Sequence, residues 1–321
     1  MSSSSSSPTL PAHYDASMAT DQASWQARLE EICAEEGYFD PIGAHHHALF
    51  TDEGPVLIVS FETVDQVRAR PGQMPFAVSV AAAHGWSSLT LIAEGETWFR
   101  DPAVYRYFDR LIDDAFFEDF DRVVFFGAGM GGYAACAFSV AAPGATVLAL
   151  SPRRSLAPAI AGWDRRHLAA RKLGFHDRFG YAPDMIEGAE QVFILHDPRE
   201  VEDAMHAALF TKPYVTQLRA PFLGGRPDAA LAAMGLLTPL LEAATEGKLD
   251  AGLFSTLWRR RRVYGPWLKT LLGHLEGKGQ WRRALGLCRS VNARVQAPRF
   301  RRRQAELEAL IAKESAIEPT A

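Results

Sequence analysis

The sequence predicts an α/β fold, with a doubly wound, mostly parallel sheet and a C-terminal α-helical extension. Short apolar, β-branched runs alternate with segments whose apolar residues recur at helical spacing. This alternation is typical of a parallel sheet covered by helices on both faces. After about residue 240 the strand-like runs stop and only helical periodicity remains. A chain of 321 residues, 48% of them hydrophobic, is long enough to bury a large core.

Six segments have the composition of buried strands, and helical segments lie between them. The predicted strands are 56–61, 88–93, 123–126, 145–150, 191–195 and 214–218. The predicted helices of this region are 23–36, 102–117, 165–173, 200–209 and 229–241, while 76–84 fits either a helix or a strand. In open parallel sheets ligands bind at the carboxyl ends of the strands. Residues that directly follow a strand are therefore the candidates for function.

Changes in composition divide the chain into four predicted parts. Residues 1–22 are rich in serine and lack periodicity, which predicts a disordered leader. Residues 23–240 form the predicted α/β domain and 241–313 a basic helical module. The last residues, 314–321, are expected to be a disordered tail.

The charge is distributed unevenly along the chain. Between Lys248 and Arg303 there are 15 lysines and arginines against two acids, a local balance of +13, which leaves −17 on the rest of a chain whose total is −4. This segment, 248–303, predicts an acidic protein or another anionic surface as its partner, or docking on the acidic domain of the same chain. It carries no helix-turn-helix, zinc finger or RNA-binding motif, so nucleic acid is not the expected partner.

The remaining composition favours a cytoplasmic protein. The three cysteines, Cys33, Cys136 and Cys288, form no C-x-x-C pair, which indicates neither a disulfide framework nor a zinc site. No apolar run reaches the roughly 18 residues of a transmembrane helix, and the N-terminus lacks the pattern of a signal peptide. The run 45–47 contains three histidines, but consecutive side chains cannot all face one point, so no metal site is expected there.

The most informative stretch is the glycine-rich corner 127–132, G-A-G-M-G-G, which follows the strand 123–126 and precedes a run of small residues. Two chemistries use such a strand–turn–helix corner. In a nucleophile elbow, G-x-S-x-G, the third residue is the exposed nucleophile. In a dinucleotide-binding unit, G-x-G-x-x-G lets backbone amides approach a pyrophosphate.

The corner resembles that of bacterial α/β-hydrolases with a G-x-S-x-G-G-Y-A motif, followed by a strand that ends in Ser-Pro. The matching residues are Gly127, Met130, Gly131, Gly132, Tyr133 and Ala134, and then Ser151 and Pro152. The resemblance covers residues 54–240 and implies a three-layer sandwich. It also implies a nucleophile at the corner, an acid after a later strand and a histidine after the last strand. Asp197, which follows the strand 191–195, occupies the acid position.

The sequence departs from this family at two of the three catalytic positions. Gly129 stands at the nucleophile position, and the loop 220–226 contains no histidine. A triad needs a nucleophile, a base and an orienting acid. We therefore expect a catalytically degenerate protein that acts by binding, with no catalytic residue assigned. Asp197 is expected to be a vestigial acid or the cap of the helix 200–209.

Two alternatives remain open from the sequence. In the first, an enzyme binds NADP or another phosphate-bearing ligand through the glycines of the corner and Arg153. In the second, a hydrolase uses a non-standard nucleophile, such as Ser151 beside His84 or His196. In the leading hypothesis no cofactor is needed, and a small molecule binds in the crevice at the strand carboxyl ends. The predicted ligand-binding residues are Gly127, Gly129, Met130, Gly132, Ser151, Arg153 and Asp197.

Overall fold

The computed structural model describes residues 13–295 and 297–317, which belong to two compact units, one ending at Phe254 and the other beginning at Ser255. The first unit contains the whole sheet. The boundary expected near residue 240 lies inside this unit, because the helix Leu237–Thr245 packs against two central strands. The second unit consists of helices.

Eight strands form one sheet in the described part of the chain. They are β1 Gly37–Ile42, β2 His46–Thr51, β3 Val56–Thr63, β4 Ser87–Ala93, β5 Arg122–Ala128, β6 Thr146–Leu150, β7 Gln191–His196 and β8 Val215–Arg219. Their order across the sheet is β1-β2-β4-β3-β5-β6-β7-β8. Strand β2 is antiparallel to both of its neighbours, and β3 to β8 are mutually parallel. The predicted doubly wound, mostly parallel α/β sheet is confirmed.

Fourteen α-helices accompany the sheet in the described residues. They are α1 Gln22–Cys33, α2 Val64–Arg68, α3 Phe76–Ala82, α4 Pro102–Asp113, α5 Met130–Phe138, α6 Pro158–Ala161, α7 Ala182–Met185, α8 Val201–Ala207, α9 Pro227–Ala233, α10 Leu237–Thr245, α11 Ala251–Leu257, α12 Gly265–Gly277, α13 Trp281–Asn292 and α14 Pro298–Ile317. Short 3₁₀ turns lie at Pro71–Gln73, Phe116–Asp119, Ser139–Ala141, Ala169–Leu173 and Trp258–Val263.

Helices cover both faces of the sheet, which gives the three layers of an α/β-hydrolase-like sandwich. Helices α4 and α5 pack over one face in the largest hydrophobic cluster, which includes Phe61, Phe108 and Phe138. Helices α1 and α3 pack over the other face, where Trp25 and Leu29 are fully buried. Successive side chains of a strand point to opposite faces of the sheet. Because helices cover both faces, both sets of side chains are buried, and the central strands are apolar along their whole length.

The sequence did not reveal the two antiparallel strands at one side of the sheet. Strand β1 contains glycine, aspartate and proline, which are depleted in strands, and it lies at the sheet edge, where proline is tolerated. Strand β2 begins with two histidines, and His46 is buried. The pairing of Leu49 with Phe39 and Thr90 places this strand firmly in the sheet.

Parts of the two predicted disordered ends lie among the described residues. Tyr14 and Ala16 are buried in the cluster around α1, and the Tyr14 hydroxyl donates a hydrogen bond to Glu53. Burial of an aromatic ring offsets the cost of ordering this serine-rich segment. At the other end, α14 continues to Ile317, past residue 314 where the tail was expected to begin. The rest of both predicted segments lies outside the described residues.

No helix within the described ranges is long and apolar enough to cross a membrane. The cysteines are all free and all buried.

Candidate functional site

The corner between β5 and α5 has the shape of a nucleophile elbow. Gly129 lies between the strand and the helix with φ 57° and ψ −111°, a conformation that non-glycine residues adopt only under strain. Its N–H donates a 2.8 Å hydrogen bond to the Leu150 carbonyl of β6, which fixes the turn. A Cβ atom built on Gly129 would have no heavy atom within 4 Å. The corner therefore has the backbone of an elbow, with open space where a side chain at residue 129 would stand.

The other glycines of the corner are required by packing. A Cβ atom on Gly127 would lie 2.2 Å from the Gly131 carbonyl oxygen, and one on Gly131 would lie 2.2 Å from the Phe61 carbonyl oxygen. A Cβ atom on Gly132 would lie 3.0 Å from the Leu150 carbonyl oxygen. Helix α5 thus approaches β3, β5 and β6 more closely than any larger residue permits. The spacing G-x-G-x-x-G follows from helix–sheet contact without any phosphate.

A cleft of about 540 Å³ opens over this corner at the carboxyl edge of the sheet. Its walls are the end of β3 (61–63), the loop after β4 (95–98), the corner itself (128–131) and the segment 225–228, together with Arg153 and His167. Of the predicted ligand-binding residues, Gly129, Met130 and Arg153 line the cleft. Gly127, Gly132, Ser151 and Asp197 are not among its lining residues.

Asp197 is buried and joins two loops rather than capping a helix. One carboxylate oxygen accepts the Arg199 N–H at 2.9 Å, and the other accepts the Gly224 N–H at 2.9 Å. The residue that precedes α8 is Glu200, which makes no side-chain capping bond, so the capping prediction is wrong. Gly224 belongs to the loop 220–226, where the resemblance would place a catalytic histidine. The Gly224 amide therefore ties this loop to Asp197 through the backbone.

The proposed pairs of Ser151 with a histidine are absent from the described contacts. His84 lies before β4, at the amino edge of the sheet, and binds Glu242 at 2.9 Å. Ser151 follows β6 at the opposite edge, so these two residues cannot form a catalytic pair. His196 ends the neighbouring strand β7, but the Ser151 hydroxyl and the His196 Nδ1 are both buried without a hydrogen-bond partner among the described residues. Ser151 has a φ of 44°, which turns the chain sharply after β6.

Arg153 belongs to a buried ionic cluster behind the cleft, here called the Arg153 cluster. Its guanidinium donates to the Ser151 carbonyl at 2.7 Å and lies 3.1 Å from Asp203. Arg166 binds the carboxylates of Asp164 and Asp203, at 2.6 Å each. Both of these carboxylates are 1% exposed, so the two arginines are needed to offset the cost of burying them. The cluster fixes the Arg153 side chain against the wall of the cleft.

His206 completes the Arg153 cluster as a neutral imidazole. The Arg154 N–H donates to its Nδ1 at 3.3 Å, so the proton lies on Nε2, which donates to Asp164 at 3.0 Å. Burial lowers the pKa of His206 below its ordinary value, against the opposing effect of Asp164. This histidine is fully buried and therefore serves structure, not the cleft.

Trp98 and His167 line the cleft but were not predicted as ligand-binding residues. Trp98 and the adjacent Phe99 have φ values of 55° and 54°, a strained conformation for bulky side chains. His167 packs edge-on against the Trp98 ring at 4.9 Å, and its Nδ1 lies 3.7 Å from Glu96. Burial lowers the pKa of His167, and the positive charge of Arg153 lowers it further. Its position in the long connection between β6 and β7 gave no sequence signal.

Among the described residues, no group of three or more histidine, cysteine, aspartate or glutamate side chains could hold a metal ion.

Comparison with known proteins provides no close relative. No family model and no curated protein matches the sequence. The solved structures to which the chain is similar include the capsule O-acetyltransferase of Neisseria meningitidis serogroup A, with a TM-score of 0.44 and 11% identity over 65% of this chain and 94% of that chain. Est1E from Butyrivibrio proteoclasticus has a TM-score of 0.42 and 13% identity over 67% of this chain and 100% of that chain.

The acylaminoacyl peptidase of Pyrococcus horikoshii has a TM-score of 0.43 and 9% identity over 68% of this chain and 43% of that chain. Likeness at this level says nothing about activity. The fold is defined instead by the strand order, the helices on both faces and the strained corner at Gly129. The chain has an α/β-hydrolase-like sandwich fold, and its function has to be argued from its own cleft.

Proposed function

We propose that this protein is a catalytically degenerate α/β-hydrolase-like protein that binds a small molecule in the cleft over Gly129. The observation that carries the proposal is the elbow itself. Its backbone has the strained geometry of a nucleophile position, yet it presents no side chain and leaves open space above it.

The surroundings of Gly129 support the loss of serine-hydrolase chemistry. Acyl transfer by a triad needs a base that is oriented by an acid. Asp197 directs its two oxygens to the backbone amides of Arg199 and Gly224, and no histidine of the described residues forms an ion pair with it. The histidine that lines the cleft, His167, comes from the connection between β6 and β7, not from the loop after the last strand.

The cleft has the properties of a ligand site. Its volume of about 540 Å³ lies within the range of roughly 300–1,000 Å³ that is usual for small-molecule pockets. Phe61, Trp98 and Met130 supply apolar surface, and the Met130 sulfur accepts the backbone N–H of Trp98 at 3.0 Å. Charged groups stand at the rim and the back. A pocket with apolar walls and a few polar groups orients a ligand without reacting with it.

A fluorophosphonate probe tests the missing chemistry. We expect the purified protein to remain unlabelled under conditions that label an authentic serine hydrolase to completion. Gly129→Ala serves as the matched control, because it cannot supply a nucleophile. Stoichiometric labelling of the wild type would contradict the proposal.

Ligand-observed NMR with a library of neutral fragments tests binding. We expect fragments that bind the wild type but not Gly129→Leu, whose side chain enters the open space. The matched control is Gly144→Leu, at a glycine that also has positive φ and no heavy atom within 4 Å of a built Cβ, before β6 at the opposite edge of the sheet. If no fragment distinguishes Gly129→Leu from Gly144→Leu, the cleft is not a ligand site.

The contacts at the corner support the nucleotide alternative less well. The Gly129 N–H is bound to Leu150, and Gly127 and Gly132 are accounted for by packing. Arg153 is bound to Asp203 and the Ser151 carbonyl. Binding of NADP therefore stays a prediction, and titration with NADPH, followed by tryptophan fluorescence, tests it. Saturation in the micromolar range would favour the nucleotide site over the proposal made here.

The second unit supports a separate interaction with an anionic partner. Several of its arginines are exposed and have no carboxylate within 4 Å among the described residues; they are Arg259, Arg262, Arg282, Arg299 and Arg301. Others pair within the unit, as Arg303 does with Glu276. We propose that the exposed set binds an acidic protein or another anionic surface. Binding to anionic vesicles should weaken as the salt concentration rises from about 50 to about 500 mM, because salt in this range screens surface charge. Binding that does not depend on salt would contradict the proposal.

A further inference from the structure

A second cavity, here called the amino-edge groove, lies at the edge of the sheet opposite to the cleft. Its volume is about 590 Å³. Its lining includes Arg122 at the beginning of β5, Ala145 just before β6 and Glu190 just before β7. These residues stand at the amino ends of parallel strands, whereas the cleft over Gly129 stands at the carboxyl ends. The amino-edge groove is therefore separate from the proposed ligand site.

The floor of the amino-edge groove is apolar. Leu111, Phe117 and Val123 line it, and each of them is buried in the hydrophobic core on its other side. Ile112 lines it as well and is 46% exposed. An apolar surface surrounded by charged residues is typical of a site of protein–protein interaction.

The rim of the groove is acidic. Glu118, Asp121 and Glu190 line it and are exposed, and in the described part of the chain no lysine, arginine or histidine lies within 4 Å of their carboxylates. Arg122 also lines the groove, and its guanidinium donates a 2.7 Å hydrogen bond to the Thr245 carbonyl. The lining therefore carries three carboxylates against one guanidinium, which favours a cationic occupant.

The same chain carries a basic surface in its second unit, the 3₁₀ turn Trp258–Val263, here called the arginine turn. In a 3₁₀ turn, residues three apart lie on the same face. Trp258 and Arg261 form the inner face, since Trp258 is buried and the Arg261 guanidinium lies 5.3 Å from the centre of its ring. The residues between and after them therefore face outward.

The outer residues of the arginine turn are cationic and apolar. Arg259 and Arg262 share one face, are exposed, and have no carboxylate within 4 Å among the described residues. Val263 is 57% exposed, and within residues 255–295 and 297–313 no other large apolar side chain is exposed. A valine beside two unpaired arginines is the counterpart of an apolar groove with an acidic rim.

We propose that the amino-edge groove binds the arginine turn of a second copy of this chain, with Val263 on the apolar floor and Arg259 and Arg262 at the acidic rim. Charge complementarity selects this occupant, because the segment 248–303 has a balance of +13 and the rest of the chain −17. The inference rests on the anionic partner proposed above for the second unit, since it names that partner. The contact leaves the cleft over Gly129 open.

Analytical ultracentrifugation of the full chain tests self-association. At about 50 mM salt the mean mass should rise above that of one chain as the protein concentration increases from about 1 to about 100 μM. At about 500 mM salt the mass should fall back, because salt screens the contact. The mass of a single chain at every concentration in low salt, which docking within one chain would also give, would overturn the proposal. Association that does not weaken with salt would overturn it as well.

Reversal of charge tests the two surfaces. The groove variant carries Glu118→Lys and Asp121→Lys. The turn variant carries Arg259→Glu and Arg262→Glu. Each variant alone brings like charges together and should associate at least roughly ten-fold more weakly than the wild type. An equimolar mixture pairs opposite charges at both contacts and should associate again. A mixture that associates no better than the separate variants would refute the assigned surfaces.

The matched control for the groove variant is Glu35→Lys with Glu36→Lys. It changes the net charge by the same amount at exposed residues outside the groove, so it should associate like the wild type. If the control associates as weakly as the groove variant, net charge and not the groove is responsible, and the assignment is refuted. If the groove variant does not fold, Glu190→Lys replaces it, because Glu190 is exposed on the same rim.

Substitution of Val263 tests the apolar part of the contact. Val263→Ser should weaken the association roughly ten-fold, because it removes most of the apolar surface that the valine buries. Val201→Ser is the matched control, at a residue of α8 that is 65% exposed and lies outside the groove. Equal effects of the two substitutions would refute the role of Val263.

The two proposals for the second unit fail separately. A chain that stays single but binds anionic vesicles in a salt-dependent way would refute the second copy and leave the anionic partner. The absence of both self-association and binding to vesicles would refute both.

Discussion

Alanine at Gly131 should destabilise the protein much more than alanine at Gly129, although both residues belong to the same corner. A Cβ atom at Gly131 would lie 2.2 Å from the Phe61 carbonyl oxygen, a distance that real structures do not contain. Either α5 or β3 must move, and overpacking of this kind costs roughly 1–3 kcal/mol or more. Alanine is otherwise the better helix former by about 1 kcal/mol, so the clash has to outweigh that gain. Because the clash is with a backbone atom rather than a flexible side chain, the cost lies at the upper end of that range, and we expect a net loss of about 2 kcal/mol in the free energy of unfolding.

At Gly129 the physical cost is different. A built Cβ meets no atom within 4 Å, so only the positive φ matters. With ψ at −111°, Gly129 lies outside the left-handed helical region, in a sparsely populated conformation that costs a non-glycine residue roughly 1–3 kcal/mol. Because the Cβ itself meets no neighbour, Gly129→Ala should fold, with a loss toward the lower end of that range, about 1 kcal/mol, and should keep a native circular dichroism spectrum.

Urea unfolding followed by tryptophan fluorescence measures both variants against the wild type. The urea transition followed by fluorescence has to coincide with the transition followed by circular dichroism, because a chain with two units need not unfold in one step. If Gly131→Ala is as stable as the wild type or as Gly129→Ala, the close contact of α5 with β3 is refuted.

Three further outcomes follow from buried groups. Burial lowers the pKa of His46 to about 4, so as the pH falls below 6.5 the imidazole becomes protonated in the unfolded chain before it does in the folded protein. Relative to His46→Gln, the wild type should therefore lose about 2.5 kcal/mol more of its free energy of unfolding between pH 7 and 4.5. The same pH dependence for both proteins in urea unfolding would contradict this. Asp197→Ala removes the carboxylate that accepts the N–H groups of Arg199 and Gly224 and should cost roughly 1–3 kcal/mol, with faster proteolysis in 220–226 than in the wild type; an unchanged cleavage rate would show that the loop is fixed otherwise. Burial raises the pKa of Cys33 to about 12 and that of Cys136 beyond its usual range, so iodoacetamide should modify neither thiol until urea unfolds the protein, as mass spectrometry of peptides would show.

The central strands could be predicted from sequence because they are covered on both sides. The run 123–126 is apolar throughout, and β5 contains it with one residue added before it and two after it. Strand β1 could not be predicted, since its stability comes from pairing with β2 rather than from its own composition. The N-terminal segment shows a similar dependence on tertiary contacts, because Tyr14 is buried in a stretch whose composition is polar.

The residues of the candidate site also differ in whether the sequence could predict them. Gly129 and Arg153 could be predicted because each closely follows a strand. The carboxyl ends of parallel strands all lie at the same edge of the sheet. Trp98 and His167 join them only through tertiary contacts between separate loops. The role of Asp197 also depended on structure, since its partner Gly224 donates through the backbone and carries no side-chain signal.

Two features separate this cleft from a serine-hydrolase site, and they differ in how much of the chain each involves. A serine could be placed at residue 129 by one substitution, because the corner has the shape and the space for it. A histidine in the loop after β8 would have to reach Asp197 beside the Gly224 amide that already binds it, so the path of the loop 220–226 would have to accommodate the ring. Introducing a nucleophile is therefore a local change, whereas introducing a base involves the backbone of a whole loop. For protein engineers, the design of this loop rather than the serine is the limiting step toward hydrolase chemistry in this scaffold.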